Sequence, residues 1–275
     1  NTKLASLSLN TLTAPKYQGR GLFTKMANET YKNCTNEGVN ITIGFPNPNS
    51  YPGFVRKLNF QHLGDIPLLI KPIKISGIIT SFLSSDSLKH GEEIILDEII
   101  NKENIFMFDF SSAIHKNLYK EFWERLKKKY NISIDKNFEY LNWRYKQIPT
   151  RNYQIYFTLE NGNIADFLIT KTTRVWGYRV GIIMDFLTTR IDSDRLYIFN
   201  YFYKISKVNN LDFIACLHSN NYEYKILKRN GFIRLPKFLL PQKIHFIVRN
   251  NTHELDKRVF SLDNWKLTFG DYDVF

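Results

Sequence analysis

The sequence predicts a mixed fold, between the α+β and α/β classes, with two mixed β-sheets flanked by helices in tandem. Three observations carry this expectation. Residues 4–24, LASLSLNTLTAPKYQGRGLFT, run from an alternating stretch through a Gly-flanked turn into a helical pattern. Residues 180–232 repeat strand, helix, strand, helix in the same outline. Between these, two alternating runs at 153–159 and 164–170 meet at Glu160-Asn161-Gly162-Asn163, the Asn-Gly signature of a tight hairpin.

In the first stretch Ala5, Leu7 and Leu9 alternate with Ser6, Ser8 and Asn10, the period-2 pattern of a half-buried strand. From residue 22 the apolar side chains Leu22, Phe23, Met26, Ala27 and Tyr31 fall at helical spacing. Glycines at such a junction let backbone N–H groups approach a ligand closely, and the positive end of the helix attracts an anion. A phosphate or pyrophosphate suits that chemistry, although a Gly-x-Gly turn alone is also ordinary turn chemistry. Residues 39–45 read as the next strand and 49–60 as a helix, with Asn59 able to take a left-handed cap.

Residues 61–83 are apolar and β-branched, with Pro67 and Pro72 marking short strands that would complete the first sheet. Residues 84–104 read as a linker or excursion. A strand at 105–110 precedes a helix carrying Tyr119, Phe122, Trp123, Leu126 and Tyr130, and residues 132–145 lead to the hairpin. The second outline is a buried strand at 180–186, a helix at 196–208, a strand at 211–217 and a helix at 220–232 closed by Gly231. The tail 264–271 reads as a strand and turn. The domain expectation is a first unit at 1–83, the linker at 84–104, and a second unit at 105–275.

Gln18-Gly19-Arg20-Gly21-Leu22-Phe23 resembles the coenzyme A loop of the GNAT acyltransferase superfamily, whose pattern is Gln/Arg-x-x-Gly-x-Gly/Ala. Five places fit, and Phe23 replaces the small final residue. The stretch 49–60 resembles the superfamily's next helix, with Asn59-Phe60 in place of its terminal Gly-Phe. The resemblance covers about residues 4–74 and 105–248. It implies two GNAT-like units in tandem and a coenzyme A cofactor, acetyl-CoA, held by Leu12, Thr13, Gln18, Gly19, Arg20, Gly21, Leu22, Phe23, Thr24 and Asn49. The second unit is degenerate in that respect, because TTRIDSD at 188–194 has no glycine and carries two aspartates that would repel phosphate. In a complete domain of this superfamily three strands and two helices come before the loop strand. The chain begins at Asn1 on that strand, so an N-terminal extension is expected.

A length of 275 residues with 43% hydrophobic side chains is enough for one large or two ordinary globular domains. The net charge is +12, from 38 Lys+Arg against 26 Asp+Glu, which favours anionic partners without specifying nucleic acid. Two cysteines, Cys34 and Cys216, build neither a disulfide framework nor a zinc site on their own, so the expectation is a cytoplasmic protein without a metal. No uninterrupted apolar run reaches membrane-spanning length, since Lys71 and Lys74 break residues 66–79, and no signal peptide is visible.

An amine-acylating enzyme needs a base for the amine and an acid for the leaving thiolate. The first strand offers no carboxylate, and the place where many relatives carry a Tyr acid is Val55 here, with Leu227 in the second unit. The candidates elsewhere are Asp185 on the apolar strand at 180–186, His218 at a strand end, and Tyr51 at a helix start. Each also fits a structural reading: a carboxylate paired with an Arg, a turn histidine, and helix-start packing. Trp143 and Arg144, with Tyr222, are candidates for holding the acceptor. The function expected is coenzyme A-dependent N-acyl transfer, as an acetyltransferase, to a small-molecule amine such as an amino sugar of surface-polysaccharide synthesis. A homodimer is compatible with this reading. The alternatives are a Fem-type aminoacyltransferase using charged tRNA and a catalytically silent coenzyme A-binding or scaffold protein.

Overall fold

In chain order the strands and helices of the computed structural model are β1 Ala5–Ser8, α1 Leu22–Asn36, β2 Ile41–Gly44, α2 Tyr51–Lys57, β3 Gln61–Asp65, β4 Leu68–Pro72 and β5 Ile105–Met107. They continue with α3 Ala113–Leu126, β6 Ile132–Ser133, α4 Phe138–Tyr145, β7 Gln154–Glu160, β8 Asn163–Val175 and β9 Tyr178–Thr188. The last are α5 Tyr197–Val208, β10 Phe213–Leu217, α6 Asn221–Arg229, β11 Ile233–Arg234, β12 His245–Asn250 and β13 Trp265–Lys266. The structure describes residues 2–9, 11–74, 104–175, 177–190, 196–219, 221–240, 242–252 and 255–272, without the side chains of Asn221 and Tyr222. The expected linker at 84–104 therefore lies outside the described residues, except for Asn104.

Two compact units form. The first holds Asn1–Pro67, Pro236–Trp265 and Tyr272–Val274, and the second holds Leu68–Leu235, Lys266–Asp271 and Phe275. The division follows strand pairing more than chain order.

The first unit carries a four-stranded sheet in the order β1-β2-β12-β3. β1 lies parallel to β2, and β12 is antiparallel to both β2 and β3. Its apolar core is Tyr31, Phe54, Leu58, Phe60 and Ile247, with Phe23 and Ala27 of α1 packed against it. The helix at 22–36 follows the expected stripe, except that Met26 is 69% exposed and turned off the core. On β1 the serines face the protein. Ser6 and Thr42 share a hydroxyl hydrogen bond of 2.8 Å, and Ser8 and Tyr31 share one of 3.2 Å, so hydroxyl pairing fixes this strand where the alternation alone suggested Ala5, Leu7 and Leu9. Asn59 adopts φ +56° as the left-handed stop after α2, and Phe60 N–H returns to Phe54 O at 3.3 Å.

The second unit carries a seven-stranded sheet in the order β11-β4-β10-β9-β8-β7-β5. The Asn-Gly hairpin joins β7 to β8, with both turn residues at positive φ, Asn161 at +51° and Gly162 at +75°, as a twist-matched two-residue turn requires. One apolar cluster runs from Leu69 and Tyr156 through Phe186, Phe199, Phe202 and Ile205 to Leu227 and Phe232.

Residues 68–72 do not complete the first sheet, as their place in the chain suggests; β4 pairs antiparallel with β10 and β11. The set β9-β10-β4-β11 then has the same order and the same strand directions as β1-β2-β12-β3, with β9 parallel to β10. In each set the third strand comes from the chain just after the other set's fourth strand: β4 follows β3, and β12 follows β11.

Candidate functional site

The stretch between β1 and α1 is held by its own backbone. Tyr17 N–H donates to Ala14 O at 2.9 Å, Gln18 N–H to Pro15 O at 3.2 Å, and the Gln18 side-chain amide to Thr13 O at 3.0 Å. Gly19 at φ +75° and Gly21 at φ +73° occupy the left-handed region, with open space where a Cβ would be. Gly21 is the N-cap of α1, no side chain caps the helix, and the first helical bond runs from Lys25 N–H to Gly21 O at 3.0 Å. The N–H groups of Leu22, Phe23 and Thr24 therefore precede the helical ladder, the arrangement that binds anions at helix starts. Lys16 Nζ and the Arg20 guanidinium lie 4.9 Å and 5.6 Å from the Tyr17 ring centre, two exposed cations on the same loop. Phe23 turns away from them: its ring meets Phe54 edge-on at 5.4 Å and fills the space a side chain at position 53 would need. A bulky residue is thus accommodated at the place where the motif has a small one. Leu12 is exposed, Thr13 half-buried, and Asn49 exposed in a turn whose N–H groups at 49 and 50 donate to Asn47 Oδ1 at 3.0 Å.

β1 and β2 both end at the same edge of the sheet, where the loop departs and α2 begins. β3 is antiparallel to β12 and β12 to β2, so the end of β3 and the start of β12 share that edge. Carboxyl-end edges of parallel strands are where open α/β sheets bind ligands. Tyr51 stands there, its ring 4.3 Å from His245 and 5.3 Å from His62.

Asp185 and His218 sit in the second unit, both fully buried. Lys136 Nζ reaches Asp185 Oδ1 at 2.5 Å and Asp271 Oδ1 at 3.0 Å. Tyr145 OH donates to Asp185 Oδ2, and the Thr268 hydroxyl to Oδ1 at 2.7 Å. Burial would raise the Asp185 carboxyl, but Lys136 and these donors outweigh it and hold it below the ordinary aspartate value. Beside this group, His218 Nε2 lies 2.5 Å from Glu223 Oε2, which also binds Lys266 Nζ, while Tyr130 OH donates to Glu223 Oε1 at 2.6 Å. Burial opposes ionisation of Glu223, yet Lys266 and His218 bring its carboxyl down to about 2. Burial, reinforced by Lys266, pushes His218 below its ordinary value, so its imidazole is neutral near neutral pH.

These networks lie where β9 and β10 part. The two strands pair only through 180–183 and 213–216, and residues 266–271 enter beyond that point. Thr268 bridges His218, Ser219 N–H donates to Leu267 O at 3.2 Å, and Gly270 N–H donates to Met184 O at 2.8 Å. The second unit thus fills its own strand opening with its own backbone. Arg144 joins this filling, its Nε donating to Gly270 O at 3.2 Å, whereas Trp143 is 57% exposed and the Tyr222 side chain lies outside the described residues. The structure gathers Asp185, His218 and Arg144 around one buried segment of the second unit, while Tyr51, Asn49 and the loop belong to the first. Sequence reasoning missed Lys136, Lys266, Glu223 and Asp271. The one local signal was that 265–270 alternates Trp, Leu and Phe with Lys, Thr and Gly.

No protein-family model and no curated protein sequence matches this chain. Solved structures do. A GCN5-related N-acetyltransferase from Anabaena variabilis aligns with a TM-score of 0.53 at 12% identity, covering 87% of this chain and 53% of its own. A probable N-acyltransferase from Enterococcus faecalis gives 0.53 at 9%, covering 87% and 52%. The Saccharomyces cerevisiae N-myristoyltransferase with bound myristoyl-CoA gives 0.55 at 11%, covering 87% and 60%. The chain has the mixed α+β fold of these proteins and spans 52–60% of their length.

Proposed function

We propose that the chain belongs to an acyl-CoA-dependent N-acyltransferase built of two GNAT-like units in tandem, and that the first unit holds the acyl-CoA. The observation that carries this reading is the uncapped start of α1, with Gly19 and Gly21 at positive φ and free amides at residues 22–24. A pyrophosphate there gains backbone donors and the helix dipole, and Arg20 and Lys16 add charge. The N-acyltransferase fold of the structural neighbours, one of them with myristoyl-CoA bound, supports the same cofactor. The second unit takes no acyl-CoA in this reading, because residues 266–271 occupy its strand opening. The acceptor is a small-molecule amine, with an amino sugar as the first class to screen.

Calorimetric titration of the whole chain with acetyl-CoA, myristoyl-CoA and free coenzyme A tests the cofactor assignment. One-to-one binding that Gly21→Asp weakens by about tenfold or more supports it, since that change adds both a strained left-handed residue and a like charge. Binding indifferent to Gly21→Asp and Arg20→Ala overturns it.

A further inference from the structure

We propose that His62, Asp65 and His245 form a site for one divalent transition-metal ion of the zinc class. The three come from adjacent antiparallel strands, with Asp65 directly opposite His245 in the register. His62 and Asp65 are three residues apart on β3, and in a regular strand that odd spacing sends side chains to opposite faces. Here the strand is distorted. Gly64 takes φ +150°, which an L side chain rarely adopts, and the pairing of β3 with β12 slips between Phe246 and Ile247. A Cβ at position 64 would also lie 2.8 Å from Leu262 Cδ2, so a side chain there would displace the end of Leu262 as well as strain the backbone. The distortion turns His62 to the side of Asp65 and His245.

The donor atoms then converge. Asp65 Oδ1 lies 2.7 Å from His245 Nδ1 and 3.2 Å from His62 Nε2, and one ligand atom from each of the three residues lies within 4.8 Å of the others. Zinc bonds of about 2.0–2.2 Å to imidazole and carboxylate need ligands about 3.3 Å apart at tetrahedral angles, a separation these groups reach with small rotations. Two imidazoles and one carboxylate suit Zn²⁺, Co²⁺ or Ni²⁺ and disfavour Ca²⁺ and Mg²⁺, which take oxygen sets. The side chains of His62, Asp65 and His245 are 30%, 21% and 13% exposed, which leaves an outer coordination position for water. Tyr51, packed on both imidazoles, walls the inner side. A bound ion would tie β3 to β12 at the sheet edge from which the phosphate-binding loop departs. The site stands on this geometry whether or not the chain uses coenzyme A.

The test is a titration of the chelator-treated whole chain with Zn²⁺ against a chromophoric competitor, with Co²⁺ absorption as a second probe. The expected result is one equivalent bound, with visible Co²⁺ bands and a thermal midpoint raised by Zn²⁺. His62→Gln, an exposed position, should weaken binding by about tenfold or more, and His62→Gln/His245→Gln should abolish both the bands and the thermal shift. His115→Gln in the second unit should change neither. Circular dichroism of the double variant confirms that it is folded. Non-saturable binding, or one-to-one binding that survives the double variant, overturns the proposal; so does a folded wild-type chain that takes up no Zn²⁺ because Asp65 only hydrogen-bonds the two histidines.

Discussion

Gly270 donates its backbone N–H to the carbonyl of Met184 at 2.8 Å, so a C-terminal segment takes the place beside β9 that a neighbouring strand would otherwise hold. The contact demands glycine, because a Cβ at 270 would fall onto the Tyr145 hydroxyl and the Asp185 carboxylate. Gly270→Ala should therefore cost about 2–3 kcal/mol by forcing apart a close-packed polar cluster. Urea unfolding reads the loss, and a midpoint equal to wild type would show that the tail is not seated between the strands.

The cluster beneath that tail places two carboxylates, Asp185 and Asp271, around the single ammonium of Lys136. Buried pairs of this kind add little net stability, but removing one partner leaves charge uncompensated in a low dielectric. Lys136→Met should lose about 3–5 kcal/mol at pH 7. The deficit should shrink as the pH falls and the stranded carboxylates take up protons. A pH-independent deficit would instead point to lost packing.

Glu223 and His218 set the acid limb of the stability curve. The folded Glu223 carboxyl sits at about 2 against a reference of 4.5, so its contribution is present above 4.5 and is lost as the pH falls through about 2. Its full size is on the order of 3 kcal/mol. His218 acts in the same direction. Its folded value lies below 6.5, so the unfolded chain binds the extra proton and stability declines as the pH drops below 6.5. Stability measured by denaturant should hold from about pH 7.5 to about 6.5 in wild type and fall from there down to about pH 2. His218→Gln should flatten the part of the slope between pH 6.5 and 5, and an unchanged slope there would remove His218 from the account.

The local elements were legible because local chemistry decides them. Asn161-Gly162 dictated its hairpin, Asn59 its helix stop, and the spacing of Tyr119, Phe122, Trp123 and Leu126 the buried face of α3. Strand exchange was not legible. Leu68 to Ile70 is as apolar as a central strand of either sheet, and periodicity carries no information about which sheet pairs with it. The candidate site divides in the same way. The loop showed in contiguous residues, whereas His62 and Asp65 meet His245 across about 180 residues of chain, and Lys136 meets Asp271 across 135. Phe23 breaks the motif as a string of letters, yet in space its ring leaves the loop for Phe54.

The loop itself separates two contributions that a single variant would merge. A Cβ added at Gly19 or Gly21 would meet nothing within 4 Å, so alanine at either position faces only the backbone cost of positive φ, about 1–2 kcal/mol. Arg20 sits in the open beside Tyr17, so its contribution to an anionic ligand is screened by salt. Gly21→Ala should therefore weaken acyl-CoA binding equally at about 50 mM and about 500 mM NaCl. Arg20→Ala should weaken it about fivefold at the lower salt and little at the higher. Calorimetry at the two ionic strengths reads both. If the two variants shared one salt dependence, the helix amides and the arginine would not be acting on the ligand separately, and the pyrophosphate would have to be placed elsewhere than over the start of α1.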